Sequence, residues 1–539
     1  MADKVIKSNE SIVPFFGERL SFIKGLDPLG LQNTSDATFS QLLPGLNNVT
    51  GRIRYYSFYC WLLDLYSKEN GSTNPFEQKV FIRRAEFIIA LASVYLEEDA
   101  SSITGSNYAK KEIEVKGLTR HDLQAGTFKD DGATRETYWN YPTGAFGQYY
   151  LGSLRDIGII SDRDKHVGLY VRTNDRNDGA ISGEALADAF DANILPEKKK
   201  LFLACIKNGV ITEKQLKELL PDFDLTIVPE NTTEHNLLVM LLIQKDYPLR
   251  IEESSSTLRR QTIKQLLAYL SKHNEEEFND RIFVFDCYNK KGKENGVADE
   301  CLMGWYYYQF NEFWHYANTS MLNGTLEYLE NSVGPNWMPL PHLVEAITNG
   351  ILDFFIKSGL ITESKEAVNI LLNNLSVHTV YECLENAADT DMIEKAANGI
   401  LLMLVLYLEN KEQLIELKEY GESKGIAKDG EGTGYFVNQF KSKAESSILK
   451  FVYDYVFVKI IYRHQYVAFR KIRGGIQSTQ KFIIEDQHIR YLGNFDAGFT
   501  GPRIGRLISF LTDLNVITAD YELSDFGKNQ LKDLVDANN

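Results

Sequence analysis

Between Val49 and Leu63 the sequence places Val49, Ile53, Tyr56, Cys60 and Leu63 at alternating steps of four and three, and Tyr55, Phe58, Tyr59, Trp61 and Leu62 fill the remaining faces. A helix that is apolar nearly all round cannot lie on a surface and must be covered by other elements on every side. That demands a large interior, and 539 residues, three to four times the usual domain length, can supply one. Two further segments make the same demand. Trp305 to Tyr316 opens a long helix crowded with aromatics, and Ile400 to Leu408, bounded by Asn398-Gly399 and Glu409-Asn410, reads as a buried helix too short to span a bilayer. With 44% apolar, 12% aromatic and 24% charged residues, a disordered, collagen-like or low-complexity chain is excluded.

Other stretches read more locally. Pro14, Gly17, Gly25, Asp27-Pro28, Gly30 and Pro44-Gly45 make residues 12 to 46 turn-rich, a helix is expected over about 76 to 97, and Gly126 to Gly132 loops out. Thr212 and Gln215 have capping-box spacing for a new helix. Residues 258 to 270 form an amphipathic helix, and Ile282 to Asp286 reads as a β-like island before a polar loop, 289 to 295. Helices follow near 340–359, 365–375, 378–387 and 391–409, and Gly421 to Gly434 reads as an exposed linker.

Sliding the chain against itself reveals an echo at a constant offset of 357 between Thr143–Ile160 and Thr500–Ile517. Thr143-Gly144, Leu154, Asp156 and Ile160 face Thr500-Gly501, Leu511, Asp513 and Ile517, and Leu151, Ile157 and Ile159 face Ile508, Leu514 and Val516. Each copy has a Thr able to cap a helix, apolar residues at helical spacing, a Gly or Asn turn and a short β-prone pair. The continuations, Asp520 to Leu531 and Gly168 to Phe190, look like a wing strand and a closing helix. In these features about 143–190 and 490–535 resemble the winged-helix superfamily. That resemblance implies either a recognition helix for the DNA major groove or a protein–protein connector, and it covers a minority of the chain. The expected fold is therefore mainly α, a multidomain helical scaffold carrying two winged-helix-like (α+β) modules. Its expected divisions are an N-terminal helical domain at 1–134, a module at 135–195, a central helical domain at 196–420, a flexible linker at 421–440 and a C-terminal domain at 441–539.

Charge is uneven. The chain carries 58 Lys+Arg against 74 Asp+Glu, a formal net charge of -16, so it is repelled as a whole by nucleic acid and anionic membranes. From Lys459 to Arg490, however, Lys459, Arg463, Arg470, Lys471, Arg473, Lys481 and Arg490 outnumber Glu485 and Asp486, with Tyr462, Tyr466 and Phe469 interleaved. Arg470-Lys-Ile-Arg473-Gly474-Gly475 offers guanidinium groups and glycine N–H groups to phosphate oxygens. Arg503 and Arg506 open the helix of the second module, where helix-turn-helix proteins contact DNA. Arg470, Lys471, Arg473, Arg503 and Arg506 are thus the candidate nucleic-acid residues, with an acidic protein surface as the competing partner. Arg52 and Arg54, at the start of the buried helix, are expected to need carboxylate partners.

Catalytic signatures are missing from the sequence. There is no Walker A motif, His-Glu-x-x-His or Gly-x-Ser-x-Gly, and Gly430-Glu-Gly-Thr-Gly434 lacks a preceding strand. Asp286 and Glu300 flanking Lys290, Lys291 and Lys293 only loosely approach a nuclease cluster. Two Glu-x-x-His pairs, Glu312/His315 and Glu485/His488, have di-metal spacing but lack assignable bridging glutamates, so no metal or other cofactor is expected. His315 reads instead as a polar member of an aromatic core, hydrogen-bonded to a neighbour. Five scattered cysteines without a C-x-x-C pair read as reduced core residues, and the polar Met1 to Glu10 is unlike a secretory signal, so a cytoplasmic location is expected. The functional expectation is a non-enzymatic subunit of a multi-protein complex, of bacterial defence or genome-maintenance type, contacting DNA or RNA locally through its C-terminal unit. The alternatives are a nuclease or nucleotide-dependent effector whose site is assembled on folding, and a purely structural adaptor.

Overall fold

The computed structural model describes the chain except for residues 1–20, 23–26, 70–71, 97–101, 116, 118, 124–140, 163–166, 177–178, 221, 245–256, 274–278, 473–476 and 537–539. The protein is mainly helical, with few and short strands. It divides into two compact units, each assembled from separated stretches: Ala37–Tyr306 with Gly501–Asn539, and Met1–Asp36 with Tyr307–Thr500.

The first of these units is organised around the helix Arg54–Glu69, which is buried continuously from Arg54 to Tyr66, as its all-round apolar pattern requires. Trp61 sits among Phe190, Phe202 and Phe223, with ring centres 5.3 to 5.7 Å away, and its indole N–H donates to Asp191 at 2.7 Å. Two cations share this interior with the rings. Arg54 meets Glu234 at 3.3 Å, both essentially excluded from solvent, and Arg52 meets Asp513 at 2.5 Å. Both arginines thus have the carboxylates that burial demands.

Apart from Thr500, both copies of the sequence echo lie in this unit. The helices Leu151–Asp156 and Ile504–Asp513 bury Leu154 and Leu511. Each is followed by an antiparallel extended pair: Ile160–Asp162 against Tyr170–Arg172 in one, and the single bridge Ile517 to Leu523 in the other. Each pair leads to a helix, Gly183–Ala192 or Asp525–Asp536, whose first turn is capped by a serine: Ser182 accepts from Ala185 N at 3.0 Å and Ser524 from Gly527 N at 2.9 Å. Ahead of Ile504–Asp513, residues 492–503 are irregular rather than helical, and residues 124–140 lie outside the described residues.

The second unit is organised around the helix Glu300–Val333 from Tyr307 onward. Its crossing with Met392–Asn410 is close because glycine lies on both sides. A Cβ at Gly399 would stand 2.7 Å from Ala317 O, and one at Gly324 would stand 2.1 Å from Met392 O. The apolar run Ile400 to Leu406 is buried here, in a helix as expected. Around this pair pack the helices Leu340–Lys357 and Val380–Asp389, and a continuous helix from Ile448 to Arg470 that widens into π turns over Tyr455–Tyr462. A three-stranded antiparallel sheet places His488–Tyr491 between Phe482–Glu485 and Trp337–Pro339.

Two local expectations are corrected. Residues 282–286 lie in the helix Asp280–Asn289, where Phe283, Val284, Cys287 and Tyr288 face inward at helical spacing. Tertiary burial and the Asn279 cap, accepting from Arg281 N at 2.9 Å, outweigh the β propensity of Ile-Phe-Val-Phe. The glycine-rich stretch around 432–436 is also not an exposed linker. Gly432 to Phe436 are buried, and the Tyr435 and Phe436 rings pack on Trp314 at 5.2 Å.

Candidate nucleic-acid interface

The Ile448–Arg470 helix is two-faced. Phe451, Val452, Tyr455, Val456, Ile460, Ile461, His464 and Ala468 are buried, while Val458, Tyr462, Tyr466 and Phe469, at steps of four, four and three, point to solvent. The three rings are 47%, 61% and 54% exposed, far above what a satisfied core aromatic shows. Arg470 is exposed beside them, its guanidinium carbon 5.5 Å from the Tyr466 ring centre, within cation–π range.

The neighbouring cations are tied into the unit. Lys471 Nζ donates to Asp27 O at 2.5 Å and stands 3.9 Å from Asp27 Oδ2. Arg463 donates to Leu29 O at 2.6 Å and to the Glu431 carboxylate, and Lys459 donates to Gly430 O at 2.8 Å. Burial, with repulsion from Arg463 and Lys443, holds the Lys459 ammonium below the usual lysine range. Lys481 is buried and its backbone N–H donates to His464 Nε2 at 2.9 Å, while Arg490 lies over the Trp337 ring at 5.1 Å.

Arg503 and Arg506 belong to the other unit and have work there. Arg503 lies 4.2 Å from the Phe39 ring centre, donates to Ser40 Oγ at 3.1 Å and reaches Leu46 O, while Arg506 donates to Asn48 O at 2.9 Å. They fasten residues 39–48, where the helix Gln32–Leu42 ends and the chain turns toward the Arg54–Glu69 helix, consuming donors that the sequence reading reserved for phosphates. Of the five candidates, then, Arg470 stands beside an exposed aromatic face, Lys471 is bonded to Asp27, Arg503 and Arg506 hold backbone carbonyls of their own unit, and Arg473 lies outside the described residues.

The two Glu-x-x-His pairs separate. Glu485 and His488 face each other across a hairpin and are exposed. Glu312 and His315 share a buried helix face. Glu312 Oε2 accepts from Thr500 N at 2.5 Å, and burial lifts its carboxyl to about 7. Contrary to expectation, neither ring nitrogen of His315 has a hydrogen-bond partner. Asp286 pairs with Lys290 at 2.7 Å one helical turn on. Among the described residues no group of three or more His, Cys, Asp or Glu is placed to hold a metal ion, and no helix is long and apolar enough to cross a membrane. The five cysteines are buried and unpaired. No protein-family model, curated protein or solved structure matches this chain.

Proposed function

We propose that the protein is a non-enzymatic, cytoplasmic binding subunit of a larger assembly, of defence or genome-maintenance type, that contacts single-stranded nucleic acid through the Tyr462–Tyr466–Phe469–Arg470 face. The observation that supports this reading is the row of half-exposed rings interleaved with a cation on one helix face. Such a row suits stacked bases, whereas duplex reading by Arg503 and Arg506 would first have to break their bonds to Leu46 and Asn48. The winged-helix likeness of about 143–190 and 490–535 is compatible with this role, those modules serving as connectors to other subunits. With a net charge of -16, binding is weak and falls with salt.

Fluorescence anisotropy with a labelled single-stranded oligonucleotide tests the reading. Tyr466→Ala and Phe469→Ala should each weaken binding by about 1–3 kcal/mol with an unchanged melting temperature. Arg470→Ala should flatten the slope of log affinity against log salt by roughly 0.7, one single-strand phosphate contact. A wild-type chain that ignores the oligonucleotide at low salt, or a Tyr466→Ala/Phe469→Ala double variant that binds as well as wild type, would overturn it in favour of a purely structural adaptor.

A further inference from the structure

In the unit built on Tyr307–Thr500, a cavity of about 520 Å³ opens beside the central helix, and its wall contains His315. The imidazole is 2% exposed, both its nitrogens are without a hydrogen-bond partner, and burial pushes its pKa down to about 4, so the ring is neutral. A neutral imidazole presents one N–H donor and one lone pair. Leaving a buried polar atom unsatisfied costs about 1–3 kcal/mol, so an unpartnered ring in the wall of a cavity of this size points to an occupant that supplies the missing bonds.

The remaining walls define the occupant. Asp27 and Asp496 bring carboxylates, which only accept, and Lys481 brings an ammonium, which only donates. An anion would face the two carboxylates and a cation the ammonium, so the chemistry favours an uncharged guest. Two of the wall's acceptors are already engaged: Asp27 Oδ1 accepts from Leu31 N at 2.7 Å, and Asn494 Oδ1 accepts from Asn323 Nδ2 at 3.0 Å and Phe495 N at 2.9 Å. The guest must therefore donate to one His315 nitrogen and to the Asp496 carboxylate and accept from the other His315 nitrogen, which hydroxyl groups do. Phe499, stacked on Tyr316 with ring centres 5.0 Å apart, gives a fixed apolar wall for a C–H face. The volume lies within the range of small-molecule sites.

We infer that this cavity binds a small uncharged molecule bearing vicinal hydroxyls, either a free sugar or the ribose of a nucleoside. The site is independent of the aromatic face proposed for nucleic acid and shares no residue with it.

Isothermal titration of the full chain with D-glucose, D-ribose, adenosine and, as the hydroxyl-free control, adenine tests the inference. At least one hydroxylated probe should bind. Binding of adenosine alone assigns a nucleoside, and binding of glucose or ribose assigns a sugar. His315→Phe keeps the ring volume and removes both nitrogens, and should weaken that binding at least tenfold. Asp496→Asn, at an exposed position that does not threaten folding, should weaken it several-fold and decides the matter if His315→Phe fails to fold. The inference is overturned if no hydroxylated probe binds, if adenine binds as tightly as adenosine, or if the folded variants bind like wild type.

Discussion

Glu312 shows how much a single buried group can shift the protein's response to pH. The carboxylate accepts from Thr500 N and stands beside the Ser35 and Thr500 hydroxyls, yet burial outweighs these contacts and raises the carboxyl from an ordinary 4.5 to about 7. Because the folded state holds the proton more tightly than the unfolded chain, the stability this carboxyl contributes is complete below about 4.5 and is lost as pH rises through about 7. Glu86, raised to about 7, and Asp513, raised to about 6, act in the same direction in overlapping windows, again mainly through burial. Glu312→Gln keeps an acceptor for Thr500 N and places an amide donor beside the hydroxyls of Ser35 and Thr500. It should therefore raise the melting temperature at pH 8, by up to about 3 kcal/mol of stability, and change little at pH 4.5. A variant that melts below wild type at pH 8 would show that the carboxylate is favourable there. The cysteines give a second check at this scale. All are buried, and burial lifts the Cys383 thiol to about 12, so thiol reagents should label the native chain slowly and all five sites in denaturant. That Arg52 and Arg54 need carboxylates was legible in the sequence. Their partners Asp513 and Glu234 were not, because pairs 461 and 180 residues apart are joined only by the fold.

Among elements, legibility followed periodicity. Arg54–Glu69 and Met392–Asn410 were readable because long apolar segments with clear ends leave one way to be satisfied, and the Thr212 cap was readable because its chemistry is local. Thr212 accepts from Gln215 N while Gln215 Oε1 accepts from Thr212 N at 2.9 Å, closing the box. Thr212→Ala should cost about 1 kcal/mol in a denaturant titration, and a loss below about 0.3 kcal/mol would mean that packing alone fixes this helix start. The Asp280–Asn289 helix was not legible, since a short run of β-formers carries no period long enough to compete with tertiary burial. The outward face of Ile448–Arg470 was half legible. Its rings and cations were visible as a composition, but which of them faced solvent depended on Asp27, Leu29 and Glu431 capturing Lys471 and Arg463 from outside the helix.

For the whole molecule, the consequential fact is that neither unit is a contiguous piece of chain. The last 39 residues belong with Ala37–Tyr306, and they bury Ile504, Leu507, Ile508, Phe510, Leu511, Leu514, Val516, Ile517 and Leu534. They also supply Asp513 to Arg52, the Phe510 ring to Tyr56 at 5.5 Å between centres, and Leu514 O to the His235 ring at 2.9 Å. At roughly 1.5–3 kcal/mol for each fully buried aliphatic or Phe side chain, the burial within this segment matches or exceeds a typical net stability of about 5–15 kcal/mol. A fragment of residues 37–306 should therefore fail to melt cooperatively and should bind a hydrophobic dye, with Arg52 and His235 stripped of their partners. Joining residues 501–539 to its N-terminus through a flexible linker should restore a cooperative transition. The pair of measurements discriminates cleanly: a 37–306 fragment that melts as sharply as its fusion would mean that the C-terminal echo is a separate module carried beside the unit rather than part of its core.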